Sequence, residues 1–268
     1  MATNSSSDSA GHATDVAADA PLRHLPLPAH LVFLVLMFLL PALFGRFLFL
    51  RITLPLAHKL GIHPAVSSVL LVNVLMLFEL ALLLAAFYWV QHGRRWQQLR
   101  RATYVWPIDW KGTAWSPLLC LGIFIVLGAW GTLAQPRILA FMQGMGFWKG
   151  RNIILELNSM SPPATTVAVV LIYLSWAILG AFVEEAYFRG YLQSQMSFAG
   201  RFDWVLGGLL YGFHHFWVTP LVPTAMVLGW CLALIFKWRK NTWPCVLAKF
   251  LLLGGQSIIY LSGMVKPH

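Results

Sequence analysis

The sequence predicts an all-α, polytopic membrane protein of about six to eight helices around an intramembrane cavity. Three observations predict it. Of 268 residues, 59% are hydrophobic and only 10% charged, whereas a soluble domain carries roughly 25% charged residues. Apolar runs near the roughly 20 residues needed to span a hydrocarbon core recur along the chain. Lys and Arg gather in a few connections between those runs, as the positive-inside rule expects. This composition excludes a soluble dinucleotide-binding enzyme and a disulfide-stapled secreted module. The net charge of +10 comes without a basic stripe interleaved with aromatics, so no nucleic-acid partner is expected. Cys120, Cys231 and Cys245 lie in apolar runs and read as small buried hydrophobes.

Residues 1–30 differ from the rest. They are rich in Ser, Ala and Asp, then carry Pro21, Pro26 and Pro28. With no basic n-region and no apolar h-region, they read as a disordered tail rather than a signal peptide. The N-terminal helices occupy 31–160. The first span, 31–50, contains Pro41 and Arg46; the second, 65–90, carries Asn73 and Glu79; the third lies between Lys111 and Arg137, where no charge occurs. Asn73 is expected to hydrogen-bond between helices. Glu79 is expected either to pair with Lys249 or Arg46 inside the bundle, or to sit near an interface beside Tyr88 and Trp89.

The remaining helices occupy 161–268. The fourth span, 165–183, ends at Glu184 and Glu185, and 184–196 either continues it or forms a short helix inside the protein. Residues 204–236 lack Asp, Glu, Lys and Arg. One helix of that length would measure about 50 Å, too long for a hydrocarbon core of roughly 30 Å. Pro220 and Pro223 therefore predict two short spans joined by a tight turn. The last span, 242–264, holds a solitary Lys249.

Three connections set the orientation. Arg94, Arg95, Arg100, Arg101 and Lys111 crowd one, Lys237, Arg239 and Lys240 another, and Arg189 and Arg201 a third. All three are expected on the cytoplasmic side, where Trp96, Trp106, Trp110, Trp204, Trp238 and Trp243 form an interfacial belt. Arg46, Arg51 and Lys59 then fall on the opposite side, which leaves the first helix's orientation open.

The chemistry concentrates in two places. Glu184 and Glu185 are two of only four Glu in the chain, and an ionisable group at membrane depth marks a functional site. On a helix Glu185 faces Arg189 at i+4, the favourable order for an ion pair. Glu184 points about 100° away, so the spacing leaves it without that partner and directed at a cavity. The second place is Tyr211-Gly212-Phe213-His214-His215, in the middle of the uncharged run. Two imidazoles near an unpaired carboxylate suit general base catalysis or a metal site with a water ligand. Adjacent histidines on one helical turn point differently, so only one of them is expected in the site.

Glu184-Glu185-x-x-x-Arg189, followed by Tyr211-x-x-x-His215, resembles the CPBP family of type II CAAX prenyl endopeptidases and bacteriocin-processing and immunity proteins. The likeness extends through Gly190, Tyr191 and Leu192, and through Asn241-Thr242-Trp243-Pro244 before the third motif. The resemblance implies an intramembrane endopeptidase that hydrolyses a peptide bond, with Glu184 activating water and His215 assisting. It implies supporting roles for Glu185, Arg189, His214 and Lys249. It also implies membrane lipid and a peptide or protein substrate, lipidated or not, as partners. The location implied is integral and multi-pass, in the plasma membrane if the source is prokaryotic. No cofactor is implied, although Glu184 and His215 could hold a divalent ion.

The third motif departs from the family. Where the family has the His and Asn thought to stabilise the oxyanion, this chain has Lys249 and Leu253. Tyr211 also replaces a Phe. Lys249 could serve the oxyanion or could pair with Glu184 and silence the site, and the alternative function is a non-catalytic binding or immunity-type protein of the same fold.

Overall fold

The computed structural model describes residues 25–53, 55–56, 59, 64–90, 95–145, 166–216 and 221–264. The expected tail falls almost wholly outside them, as do residues 217–220 of the expected proline turn. Ten α-helices and no strand occur among the described residues. They are α1 Leu27–Phe47, α2 Pro64–Ala85, α3 Trp96–Ala102, α4 Trp110–Ala114, α5 Ser116–Leu133, α6 Gln135–Gly144, α7 Thr166–Glu184, α8 Asp203–His214, α9 Val222–Arg239 and α10 Trp243–Met264.

Leu27–Thr53, Leu71–Val90, Ser116–Leu133 and Val222–Arg239 are each long and apolar enough to cross a membrane. Helices α3 and α4 are too short to do so and belong to the connection between α2 and α5. Pro41 lies inside α1 without ending it, because neighbouring helices re-satisfy the backbone group a proline frees. The later run is divided as expected, into α8 and α9, and Pro223 falls at that break. It stands in the first turn of α9, where the missing N–H has no intrahelical partner to lose.

Helix α7 is central, with α2 on one side and α10 on the other, while α5 packs on α10 and α9. Asn73 of α2 donates to Ser175 Oγ of α7 at 2.7 Å, the interhelical bond its position predicts. Among the described residues α8 and α9 make the most extensive helix–helix packing, through small residues. A Cβ on Gly208 would collide with the Trp230 ring, and one on Gly212 with the Met226 side chain. These glycines let the two backbones approach as small residues do in membrane bundles. The chain between Glu184 and α8 neither extends α7 regularly nor forms a separate α-helix. Glu185–Leu192 is an i→i+5 helix whose residues are all buried, and two 3₁₀ turns follow it.

One connection is tied firmly to the bundle. The 103–107 backbone lies along the start of α10. Thr242 N–H donates to Tyr104 O at 3.0 Å and Thr242 Oγ1 to Thr103 O at 2.7 Å. Trp243 Nε1 donates to Val105 O at 2.9 Å, and Asn241 Nδ2 to Pro107 O at 2.7 Å. Four carbonyls that would otherwise be unpaired near an apolar interface are thereby satisfied.

Candidate functional site

The site forms where α7 gives way to the i→i+5 turn. Such wide turns occur mostly as local insertions at functional positions. Glu184 closes α7, Glu185 opens the wide turn, α8 brings Tyr211, His214 and His215, and α10 brings Lys249. With Arg189 on the wide turn, the six residues expected in the site therefore lie in one region, joined by Tyr211.

The spacing argument leaves Glu184 without a cation; the structure corrects this. Lys249 Nζ lies 2.5 Å from Glu184 Oε2 and 3.1 Å from Glu185 Oε1. Its third contact is the Tyr211 hydroxyl at 3.0 Å. An ammonium has three hydrogens, and these three acceptors match them. A partner from a different helix, 65 residues along the chain, is invisible to i+4 reasoning. Tyr211 also matters more than a Phe replacement suggests, because its hydroxyl donates to Glu184 Oε2 at 2.7 Å. Glu184 consequently faces a filled polar cluster, with its side chain 5% exposed, rather than an open cavity. A small apolar cavity does exist in the bundle, lined by Gly45, Leu48, Phe49, Thr53 and neighbours of α2, none of them a site residue.

Glu185 receives Lys249 and also Arg189, whose Nε stands 3.4 Å from Glu185 Oε2. The wide turn makes this a looser contact than a regular helix would give. The Arg189 guanidinium is fully buried and lies over the Tyr211 ring, 4.7 Å from its centroid. Two carboxylates and two cations thus cancel, which a low-dielectric interior requires.

The histidines divide as expected, but both are engaged. His215 Nδ1 is 2.9 Å from the Tyr211 carbonyl. A carbonyl only accepts, so Nδ1 carries the hydrogen and the lone pair of the neutral ring is at Nε2. His214 Nε2 is 3.0 Å from Glu79 Oε1, a partner that neither sequence alternative for Glu79 contained. Among the described residues no group of three or more His, Cys, Asp or Glu side chains converges as a metal site. Both members of the Glu184–Glu185 pair are instead spent on cations.

An apolar helical bundle with a charged, hydrogen-bonded centre defines the class: an all-α polytopic membrane protein with a buried polar cluster. Residues 166–252 match the family model described as type II CAAX prenyl endopeptidase, Rce1-like, which supports assignment to the CPBP family. At that level the match is to a family of proteases. It takes in Glu184, Glu185, Arg189, Tyr211, His214, His215 and Lys249, and it ends one residue before Leu253. No curated protein and no solved structure matches the chain.

Proposed function

We propose that the chain is a multi-pass intramembrane endopeptidase in which Glu184 takes a proton from water and His215 holds that water. The observation that carries this reading is that Tyr211 donates to Glu184 while its ring packs against His215, centroids 4.7 Å apart, inside the matched segment. The Nε2 lone pair of His215 suits a water hydrogen, and no cofactor is needed for a carboxylate-activated water. The substrate is a peptide or protein at the membrane, lipidated or not. The bundle sits among lipid, in the plasma membrane if the source is prokaryotic, with the three basic connections cytoplasmic.

Lys249 gives this site a closed resting state. All three of its hydrogens are directed at Glu184, Glu185 and Tyr211. Hydrolysis requires the substrate's developing oxyanion to draw the ammonium away, which would free Glu184 and supply charge stabilisation in one movement. The same observation favours a second reading. If no substrate displaces Lys249, the protein is a non-catalytic binding or immunity-type member of the fold.

One experiment separates the two. Peptide cleavage is measured with purified protein in lipid nanodiscs, with Glu184→Ala, His215→Ala and Lys249→His in parallel. The endopeptidase reading expects activity in the parent chain that both alanine variants abolish. Parent activity equal to Glu184→Ala, with a gain in Lys249→His, establishes the non-catalytic reading instead.

A further inference from the structure

Glu79 lies outside the matched segment and outside the mechanism above, yet it is fully buried. It is the one charged residue in 64–90. An apolar residue there would cost the bundle less, so its retention in an otherwise apolar helix needs a reason. Among the described residues neither of its oxygens has a hydrogen-bond partner, and the nearest opposite group is His214 Nε2, 3.0 Å from Oε1. The Tyr187 hydroxyl nearby is committed to the Met37 carbonyl at 2.5 Å. Lys249 is committed to Glu184, Glu185 and Tyr211. Among the described residues His214 is therefore the group that answers Glu79, through a 3.0 Å contact between Nε2 and Oε1.

That contact bounds one edge of the His214 ring. Phe188 holds a face, with centroids 4.8 Å apart. The His215 ring then stands perpendicular to His214, centroids 5.1 Å apart and planes at 89°, while its Nδ1 is tied to Tyr211 O. Glu79, His214 and His215 form a chain of contacts running from α2 into the site.

We infer that Glu79 is a positioning residue: through His214 it sets the direction in which His215 presents Nε2. A buried carboxylate that orients an imidazole without touching substrate is a recurring device in hydrolases; here it acts through one further ring. The inference rests on the endopeptidase reading for its consequence in rate, and on geometry alone for its consequence at His215. It also makes the functional unit larger than residues 166–252, because α2 contributes to the site.

The test uses the full chain in nanodiscs with ¹⁵N-labelled histidine. Glu79→Gln preserves shape and carries the test if Glu79→Leu fails to fold. Both variants are expected to move the imidazole resonances of His214 and His215 together. In the cleavage assay kcat is expected to fall about ten- to a hundredfold, more for Leu than for Gln, with KM unchanged. Movement of His214 alone, or of neither ring, overturns the inference, as does unchanged kcat in an active parent. If the parent cleaves nothing, the endopeptidase reading falls, and with it the inferred role in the reaction. The His215 resonances still decide whether Glu79 orients that ring.

Discussion

Two sets of ion pairs hold this chain together. Lys249 meets Glu184 and Glu185 between α10 and α7 with side chains no more than 5% exposed. Lys237–Asp203 and Arg239–Asp109 also pair a basic group with a carboxylate, at helix ends and with side chains 12% to 31% exposed. In the first set each group depends on the others, because desolvated charge is tolerated only when paired and hydrogen-bonded. In the second, water substitutes for a lost partner and the net contribution is small. Pairing of basic groups with carboxylates thus makes an interdependent buried cluster in one place and a set of fasteners near water in the other.

The largest expected effect comes from breaking the buried set. Lys249→Leu strands Glu184 and leaves Glu185 with only the loose Arg189 contact, and should cost about 3–5 kcal/mol of stability, measured by unfolding in detergent. Removing the carboxylate as well, as Glu184→Leu with Lys249→Leu, should recover part of that loss. A double variant no more stable than Lys249→Leu would break the comparison, since the buried groups would then not depend on one another. From spacing alone, Glu184→Ala should be milder than Glu185→Ala. With Lys249 bound to both carboxylates, the two losses should instead converge.

Next in size is the junction between the two regions. Gly190 ends the Glu185–Arg189 motif beneath the 103–107 backbone, and a Cβ there would fall on the Thr103 carbonyl oxygen and 3.0 Å from Thr242 Oγ1. Backbone on one side leaves little room to relax. Gly190→Ala should cost about 1–3 kcal/mol, whereas Gly254→Ala, whose Cβ meets nothing within 4 Å, should cost nothing measurable. Equal thermal shifts for the two would show that the strap does not press on the motif.

Much of this was legible in the sequence, and what was missed has a physical cause. Helix existence followed from apolar run length, and the ends of α7, α9 and α10 fell close to the expected positions. The site residues were legible because charge is rare at depth, so Glu184, Glu185, His214 and Lys249 stood out by contrast. Which of them touch was legible only in part: pairing of Lys249 with Glu184 was one of two alternatives, and pairing of Glu79 with His214 was not foreseen. The Glu184–Lys249 and Glu79–His214 contacts join helices distant in sequence, and only packing sets their distance. The one signal for Lys249 was that it was the sole charge in an apolar span facing an acid pair. The i→i+5 turn at Glu185–Leu192 left no mark, since the same eight residues suit either helix type and its widening is set by packing.

A smaller effect is expected at Asp109. Its side chain caps α4 by accepting from Gly112 N–H at 2.9 Å and accepts from Arg239 Nε at 2.8 Å. The Gly112 N–H first, then the Arg239 guanidinium, hold its carboxyl below the ordinary carboxylate value. A folded-state pKa below the unfolded one means that the contribution is present above about pH 4 and lost as pH falls through the depressed value. Asp109→Ala, which loses cap and pair, should cost about 1 kcal/mol. Asp109→Asn keeps an acceptor for Gly112 and should cost less. The gap between wild type and Asp109→Asn should close in acid; a gap that persists there would remove the ion pair as its cause.

The smallest effect is expected at Lys237. Its ammonium bonds Asp203 directly and also donates to Arg201 O at 2.8 Å and Gly200 O at 3.3 Å. It therefore fastens the end of α9 to the 3₁₀ turn before α8. Because that turn is exposed and α8 already packs on α9 through glycine contacts, the fastener duplicates an attachment the bundle makes elsewhere. Lys237→Ala should cost about 0.2–1 kcal/mol, and added salt should shrink the difference, as for any solvent-accessible pair. The same salt titration should leave the penalty of Lys249→Leu unchanged, because a pair sealed between helices is not screened. A Lys249→Leu penalty that fell with salt would mean that water reaches Glu184 in the resting state, and the closed site would have to be redrawn as an open one.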